Sequence, residues 1–379
     1  MLTKPLSDPI WVERPQGLQD MLSHLMQQPF VAVDTESNSL YVYQEQVCLI
    51  QLSSPTRDYL VDPLTLPDLS SLTPFFASPD IQKIFHAADY DLVCLKRDFD
   101  FEIVNIFDTM IAGRALGMPS VGLAAMLEEA FAVQLDKRYQ RANWGQRPLK
   151  KEMLAYARLD SHYLIALREI LVKRLEKQGR LLLVEEDCAR LAKNSLPMQN
   201  HKADMWHIRG VSDLKSKQLA AMQAVYDFRE HIAQSENKPP FKIMSNQAML
   251  EVAQTMPRYM EELHLLPSLS KHQVRRFGKG LLQAVQKSPS IQVVGRTGYQ
   301  RPDEALIIRN ENLGKWRRLV GLRLGVQSDV VLPRDVMNRI AEENPQTLQD
   351  LGAVMHDAPQ RFRQYGEDIL QVLIKGQGL

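Results

Sequence analysis

Phe30-Val-Ala-Val-Asp-Thr-Glu-Ser37 decides the fold. Its first four residues are apolar without helical spacing, so the run reads as a buried strand. Asp34 and Glu36 stand at i and i+2 at the end of that strand, which points both carboxylates to one face. Two such acids on an apolar strand repel each other and resist dehydration, so they need a positive partner. A cation supplies one, although a plain strand end with a turn role would account for Asp-Thr-Glu taken alone.

Outward from this strand, Val47-Cys-Leu-Ile-Gln-Leu reads as a second strand and Tyr59-Leu-Val-Asp as a third, ended by Pro63. Helical spacing follows over residues 69–76, 89–98, 109–116 and 123–131, and strands followed by such alternation predict a mixed α/β sheet. Pro148 opens a helical segment reaching about Gln178, with Gly179 as its stop. Beyond residue 206 the pattern is helical and repeats. A shift of 88 residues lays Ile243–Leu263 on Val331–Leu351 and continues to Arg275 on Arg363, Phe277 on Tyr365 and Gly278 on Gly366. Two copies of one small helical domain are expected, joined near Lys287–Pro302.

The chain of 379 residues, 45% hydrophobic and 24% charged, is that of a soluble globular protein with two or three domains. No run approaches the roughly 18 apolar residues of a membrane span, and the N-terminus has no apolar export core, so no membrane partner is expected. Cys48, Cys94 and Cys188 fit neither a disulfide framework nor a zinc knuckle, which leaves a reducing cytoplasm as the expected compartment. Residues 1–205 carry 22 Lys+Arg against 27 Asp+Glu, a net of −5, whereas residues 206–289 carry 12 against 7, a net of +5. Scatter in surface charge accounts for this as well as a basic module that binds phosphates does.

Two further acidic segments complete the set. His86-Ala-Ala-Asp-Tyr-Asp-Leu-Val-Cys-Leu95 offers Asp89 and Asp91, and Tyr156-Ala-Arg-Leu-Asp160 stacks Tyr156 and Asp160 one helical turn apart. Each alone reads equally as a helix-terminal charge or a solvated helix face. In order, Asp-x-Glu on a strand, His-x4-Asp-x3-Leu and Tyr-x3-Asp, with 57 and 69 residues between the aspartates, resemble the DEDD superfamily of 3′-5′ exonucleases in its tyrosine subclass. Lys137, Gln140 and Asn143-Trp144-Gly-Gln-Arg147-Pro148-Leu149 resemble the stretch ahead of the last motif in the ribonuclease D family, with Asn143 where the family usually has Asp. The 88-residue repeats resemble the helical domain shared by RecQ-type helicases and ribonuclease D, with Lys238-Pro-Pro-Phe-Lys-Ile as its turn; Ser328-Asp-Val-Val replaces the Pro-Pro turn in the second copy.

The resemblance implies an RNase H-like mixed-sheet exonuclease domain over residues 1–205, then two small all-α domains of HRDC type over 206–289 and 290–379. It implies that Asp34, Glu36, Asp91 and Asp160 bind two divalent metal ions, and that Tyr156 orients the attacking water. Asp91 is preferred to Asp89 because it keeps the family's steps from His86 and to Leu95. Oxygen-only ligands favour Mg²⁺ or Mn²⁺ over zinc. His86 is expected on the substrate side or in a structural role. Trp144 and Arg147 admit stacking on terminal nucleotides or phosphate pairing, with a core role the alternative. Lys238, Lys242, Arg275 and Arg276, with Lys271 and Lys279, admit contact with an RNA backbone or a solvated helix face. The implied activity is a 3′-5′ exoribonuclease releasing nucleoside 5′-monophosphates from RNA with a free 3′ hydroxyl, tRNA precursors included, and acting as a monomer. A DNA exonuclease and a non-catalytic RNA-binding protein remain the alternatives.

Overall fold

A computed structural model of the chain describes residues 8–66, 68–194, 204–293 and 303–375. Six strands form one mixed sheet: β1 (Ile10–Val12), β2 (Phe30–Ser37), β3 (Val47–Ser53), β4 (Asp58–Val61), β5 (Gln82–Phe85) and β6 (Ile106–Asp108). Their order across the sheet is β1-β4-β3-β2-β5-β6. β3 and β4 run antiparallel, while β1 with β4, β2 with β5 and β5 with β6 run parallel. Every residue of β3 is buried, as a central strand covered on both faces requires. The three strands absent from the sequence reading are short, and two of them are the three-residue edges, too brief to show a period.

The helix Leu123–Phe131 falls where its spacing places it, and Asp89–Phe99 and Thr109–Ala115 lie within a residue of expectation. The segment after Pro148 differs, because it forms two helices, Lys151–His162 and Leu164–Lys177, instead of one. Tertiary contacts claim the residues at the break: His162 bonds Asp58 at 3.0 Å, and the Tyr163 ring stacks on Phe131 at 5.4 Å. Gly179 does end the second helix region, at φ +65°, a backbone conformation that suits a residue without a Cβ.

Two compact units are present, one of residues 1–36, 47–197 and 301–379, the other of 37–46 and 198–300. Each contains one copy of the repeat, with its own apolar core. The 88-residue offset holds in the backbone: Pro240–Ile243 matches Ser328–Val331, Asn246–Thr255 matches Arg334–Glu343, and Lys271–Lys287 matches Pro359–Lys375. Even the left-handed positions correspond, Asn237 with Gly325 and Met256 with Asn344. These residues cap the helices before them, so the shared offset extends to the turns. The joint at Lys287–Pro302 lies partly outside the described residues.

In the first unit the C-terminal repeat packs on the helix Leu181–Asn194, which follows the sheet in sequence. Arg361, 0% exposed, donates to Glu186 at 2.6 Å, to Asp187 at 2.8 Å and to the Val330 carbonyl at 2.8 Å. Arg190 pairs with Asp357 at 3.0 Å and also with Asp335. In the second unit the segment 37–46 lies against the first repeat. There the Tyr43 hydroxyl donates to Glu230 at 3.2 Å, and the Lys242 ammonium sits 4.4 Å from the centre of the Tyr41 ring.

Candidate active site

Val31, Ala32 and Val33 anchor β2 in the core at 0% exposure, and the strand then emerges half-buried at Asp34, Thr35 and Glu36. The anchored helix Lys151–His162 brings Tyr156 and Asp160 to them, both buried. Carboxylate oxygens of Asp34, Glu36 and Asp160 all lie within 4.8 Å of one another. Asp91 joins from the first turn of its helix, buried, accepting a hydrogen bond from the Thr35 hydroxyl. Asp89 is exposed and lines a different cavity. The three acidic segments therefore converge.

The anchoring of that helix was not read from the sequence. Arg158 and His162, at i and i+4, both reach the buried Asp58, the guanidinium at 2.7 Å and the ring at 3.0 Å, while Ser161 bonds Ser53 at 2.8 Å. Their i,i+4 spacing on the side of the helix away from Tyr156 and Asp160 was the available signal. Thr35 was also missed, because a threonine between two acids carries no signature of its own.

A cleft of about 430 Å³ opens over this cluster, lined by Asp34, Thr35, Glu36, His86, Gln140, Tyr156 and Asp160 among others. None of the described residues lining it is lysine or arginine. Burial, and then the charges of Asp91, Asp160 and Glu36, hold the Asp34 carboxyl well above the ordinary range, and Glu36 is raised by burial and its acidic neighbours in the same way. Asp91 and Asp160 are pushed up to about 7, chiefly by burial. Burial also raises the Tyr156 hydroxyl, which bonds Asp160. Uncompensated acids with only oxygen donors fit a hard divalent cation. Because the native carboxylates keep protons to higher pH than unfolded ones, the metal-free protein should lose stability as pH rises from 3.8 towards about 7. Saturating Mg²⁺ or Mn²⁺ at pH 8 should then raise the melting temperature by about 5 °C or more. A melting temperature indifferent to both ions would contradict this account of the cluster.

Two residues assigned to substrate are placed elsewhere. Trp144 is 1% exposed in the cluster of Cys48, Leu49, Leu60 and Met153, its ring 6.1 Å from that of Tyr156, so no base can stack on it. Arg147 spends its guanidinium on Asp62 at 2.6 and 2.7 Å and on the carbonyls of Trp144, Gln146 and Cys48, which leaves it no phosphate. Both correct the substrate reading in favour of the structural one. In the other unit Lys238 and Arg276 share Glu236, Lys242 lies over Tyr41, and Arg275 is exposed. His86 does line the cleft.

This fold defines a chain of the 3′-5′ exonuclease class carrying HRDC-type helical repeats. A family model described as 3′-5′ exonuclease matches residues 9–176, and the HRDC domain model matches 218–285 and 309–373. The Saccharomyces cerevisiae exosome complex exonuclease RRP6 is 32% identical over 74% of this chain and 40% of its own length. Ribonuclease D of Gluconacetobacter diazotrophicus is 28% identical over 79% of this chain and 78% of its own. The crystal structure of the RRP6 catalytic core of Trypanosoma brucei superposes with a TM-score of 0.64 at 30% identity, covering 76% of this chain and 81% of that one. The chain belongs to the ribonuclease D and RRP6 family of 3′-5′ exonucleases. It spans about a third of the length of the first curated relatives it matches.

Proposed function

We propose that the chain is a metal-dependent 3′-5′ exoribonuclease that removes nucleoside 5′-monophosphates from RNA with a free 3′ hydroxyl, precursors of tRNA and other small structured RNAs among its substrates. The observation that supports this most is the convergence of Asp34, Glu36 and Asp160 with Tyr156 in one cleft, with Asp91 bonded to Thr35 beside them. The four carboxylates would hold two divalent ions, Mg²⁺ or Mn²⁺, which when bound activate a water and stabilise the departing 3′ oxygen. The Tyr156 hydroxyl keeps its proton at any working pH, so it serves as a hydrogen-bonding group that positions the water and not as a base. Water adds to phosphorus, the bond to the penultimate 3′ oxygen breaks, and that oxygen takes a proton. All four acids come from one chain, so a monomer suffices.

We divide the chain into an exonuclease domain (1–205) and two HRDC-type domains (206–289 and 290–379). The first repeat is read as the RNA tether, because the ion pairs of Lys238 and Arg276 with Glu236 are exposed enough for phosphates to replace the carboxylate. Three buried cysteines outside any disulfide support a reducing compartment, the cytoplasm; among the described residues no helix is long and apolar enough to cross a membrane. The test is hydrolysis of matched 3′-labelled RNA and DNA with Mg²⁺ or Mn²⁺. Loss of RNA label is expected, with DNA at least about 10-fold slower. Equal loss of DNA would make it a general exonuclease, and no loss of either would make it a binding protein.

A further inference from the structure

One polar atom in the cleft has a fixed chemical character that the hydrolytic chemistry does not use. Thr109, buried at the start of its helix, donates its single hydroxyl proton to the Phe85 carbonyl at 3.0 Å. The same oxygen lies 2.9 Å from His86 Nδ1. With its proton already committed, that hydroxyl can only accept from the ring, so Nδ1 carries the hydrogen and Nε2 carries a lone pair. Burial depresses the ring's pKa to about 4, which keeps it neutral across the working range. Nε2 has no hydrogen-bond partner among the described residues. It is an uncharged acceptor in the cleft that also holds the carboxylates of Asp34, Glu36 and Asp160.

We propose that His86 Nε2 accepts a hydrogen bond from a ribose hydroxyl of the 3′-terminal nucleotide, making His86 a specificity-determining residue for the sugar. The proposal rests on the exoribonuclease reading of the same cleft. Cations draw the carboxylates into coordination, whereas the neutral imidazole nitrogen lies outside that cluster and keeps its lone pair for a hydroxyl donor. A sugar hydroxyl is the donor closest to the scissile phosphate in any terminal nucleotide, whatever its base. A site built to accept from a hydroxyl discriminates against the analogue that lacks it, because the acceptor is then left unpaired.

Three RNA oligonucleotides that differ only in the last nucleotide, ribose, 2′-deoxyribose or 3′-deoxyribose, test it. The wild type should favour the ribose end over one of the two deoxy ends by about 10-fold in kcat/KM, and the disfavoured end tells which hydroxyl is read. His86→Phe keeps the ring's shape and removes the acceptor, so it should degrade all three ends at rates within about two-fold of one another. Thr109→Val, which frees the ring to take either tautomer, should reduce the preference in the same direction, and it decides the matter if His86→Phe does not fold. A preference that survives both substitutions overturns the proposal. So does a wild type that degrades all three ends equally, an outcome that leaves the exoribonuclease reading standing. A wild type that degrades none of them with Mg²⁺ or Mn²⁺ refutes the underlying reading and the proposal together.

Discussion

Asp34→Asn should lower kcat on a short 3′-labelled RNA by roughly 1,000-fold or more while leaving the metal-free protein at least as heat-stable as the wild type. The two effects have one cause. Asp34 stands among three other acids and its carboxyl is raised by burial and by each of them, so in the absence of cations its charge is a burden on the native state. An amide of the same shape removes that repulsion and with it a central donor for the ions. The combination separates a catalytic defect from a folding defect, which would move both measurements downward. Hydrolysis above about a tenth of the wild-type rate, in a variant that still melts cooperatively, would remove Asp34 from the site.

Arg361→Ala should cost about 3–5 kcal/mol in urea unfolding at pH 7. Its guanidinium is wholly buried against Glu186 and Asp187, and the alanine would strand Glu186 in the interior, while the part-exposed Asp187 keeps Arg190 at 3.7 Å. Burial raises the Asp187 carboxyl even with Arg361 beside it, so the pair does not fully offset its own dehydration. Replacing Arg361, Glu186 and Asp187 together by Met, Gln and Leu should therefore be milder than Arg361→Ala alone. A loss below about 1 kcal/mol for the single variant would show that water reaches the stranded Glu186. Arg309, Arg317 and Arg339 of the same repeat also bond to main-chain carbonyls, of Ala341, Leu332 and Val354 respectively. These four arginines of the second repeat are committed to its own fold and docking.

Much of this was legible in the chain. The mixed sheet followed from three strand-like runs succeeded by helical spacing, and the repeat from identities held at one offset through Met249, Ala253 and Pro257. The choice of Asp91 over Asp89 rested on spacing, and in the structure only Asp91 meets Thr35. What stayed hidden were features set by partners far away in sequence. Nothing local marks Asp62 as the mate of Arg147, 85 residues on, or Asp58 as the anchor under Arg158, 100 residues on. Trp144 and Arg147 were ambiguous because aromatic and guanidinium groups serve cores and nucleotides alike. Short strands such as Ile106–Asp108 carry too few residues for any period.

The docking of the last repeat on the helix Leu181–Asn194 has a consequence for biosynthesis. Glu186 and Asp187 leave the ribosome about 175 residues before Arg361, the guanidinium they share. At bacterial or eukaryotic elongation rates that interval is on the order of ten seconds or more. Throughout it, Asp187 has only Arg190 of its own helix for a cationic partner and Glu186 lacks its guanidinium, and closure waits for the helix Pro359–Lys375. A nascent chain cut off before residue 361 would hold a sheet already formed and a Glu186 without its guanidinium partner.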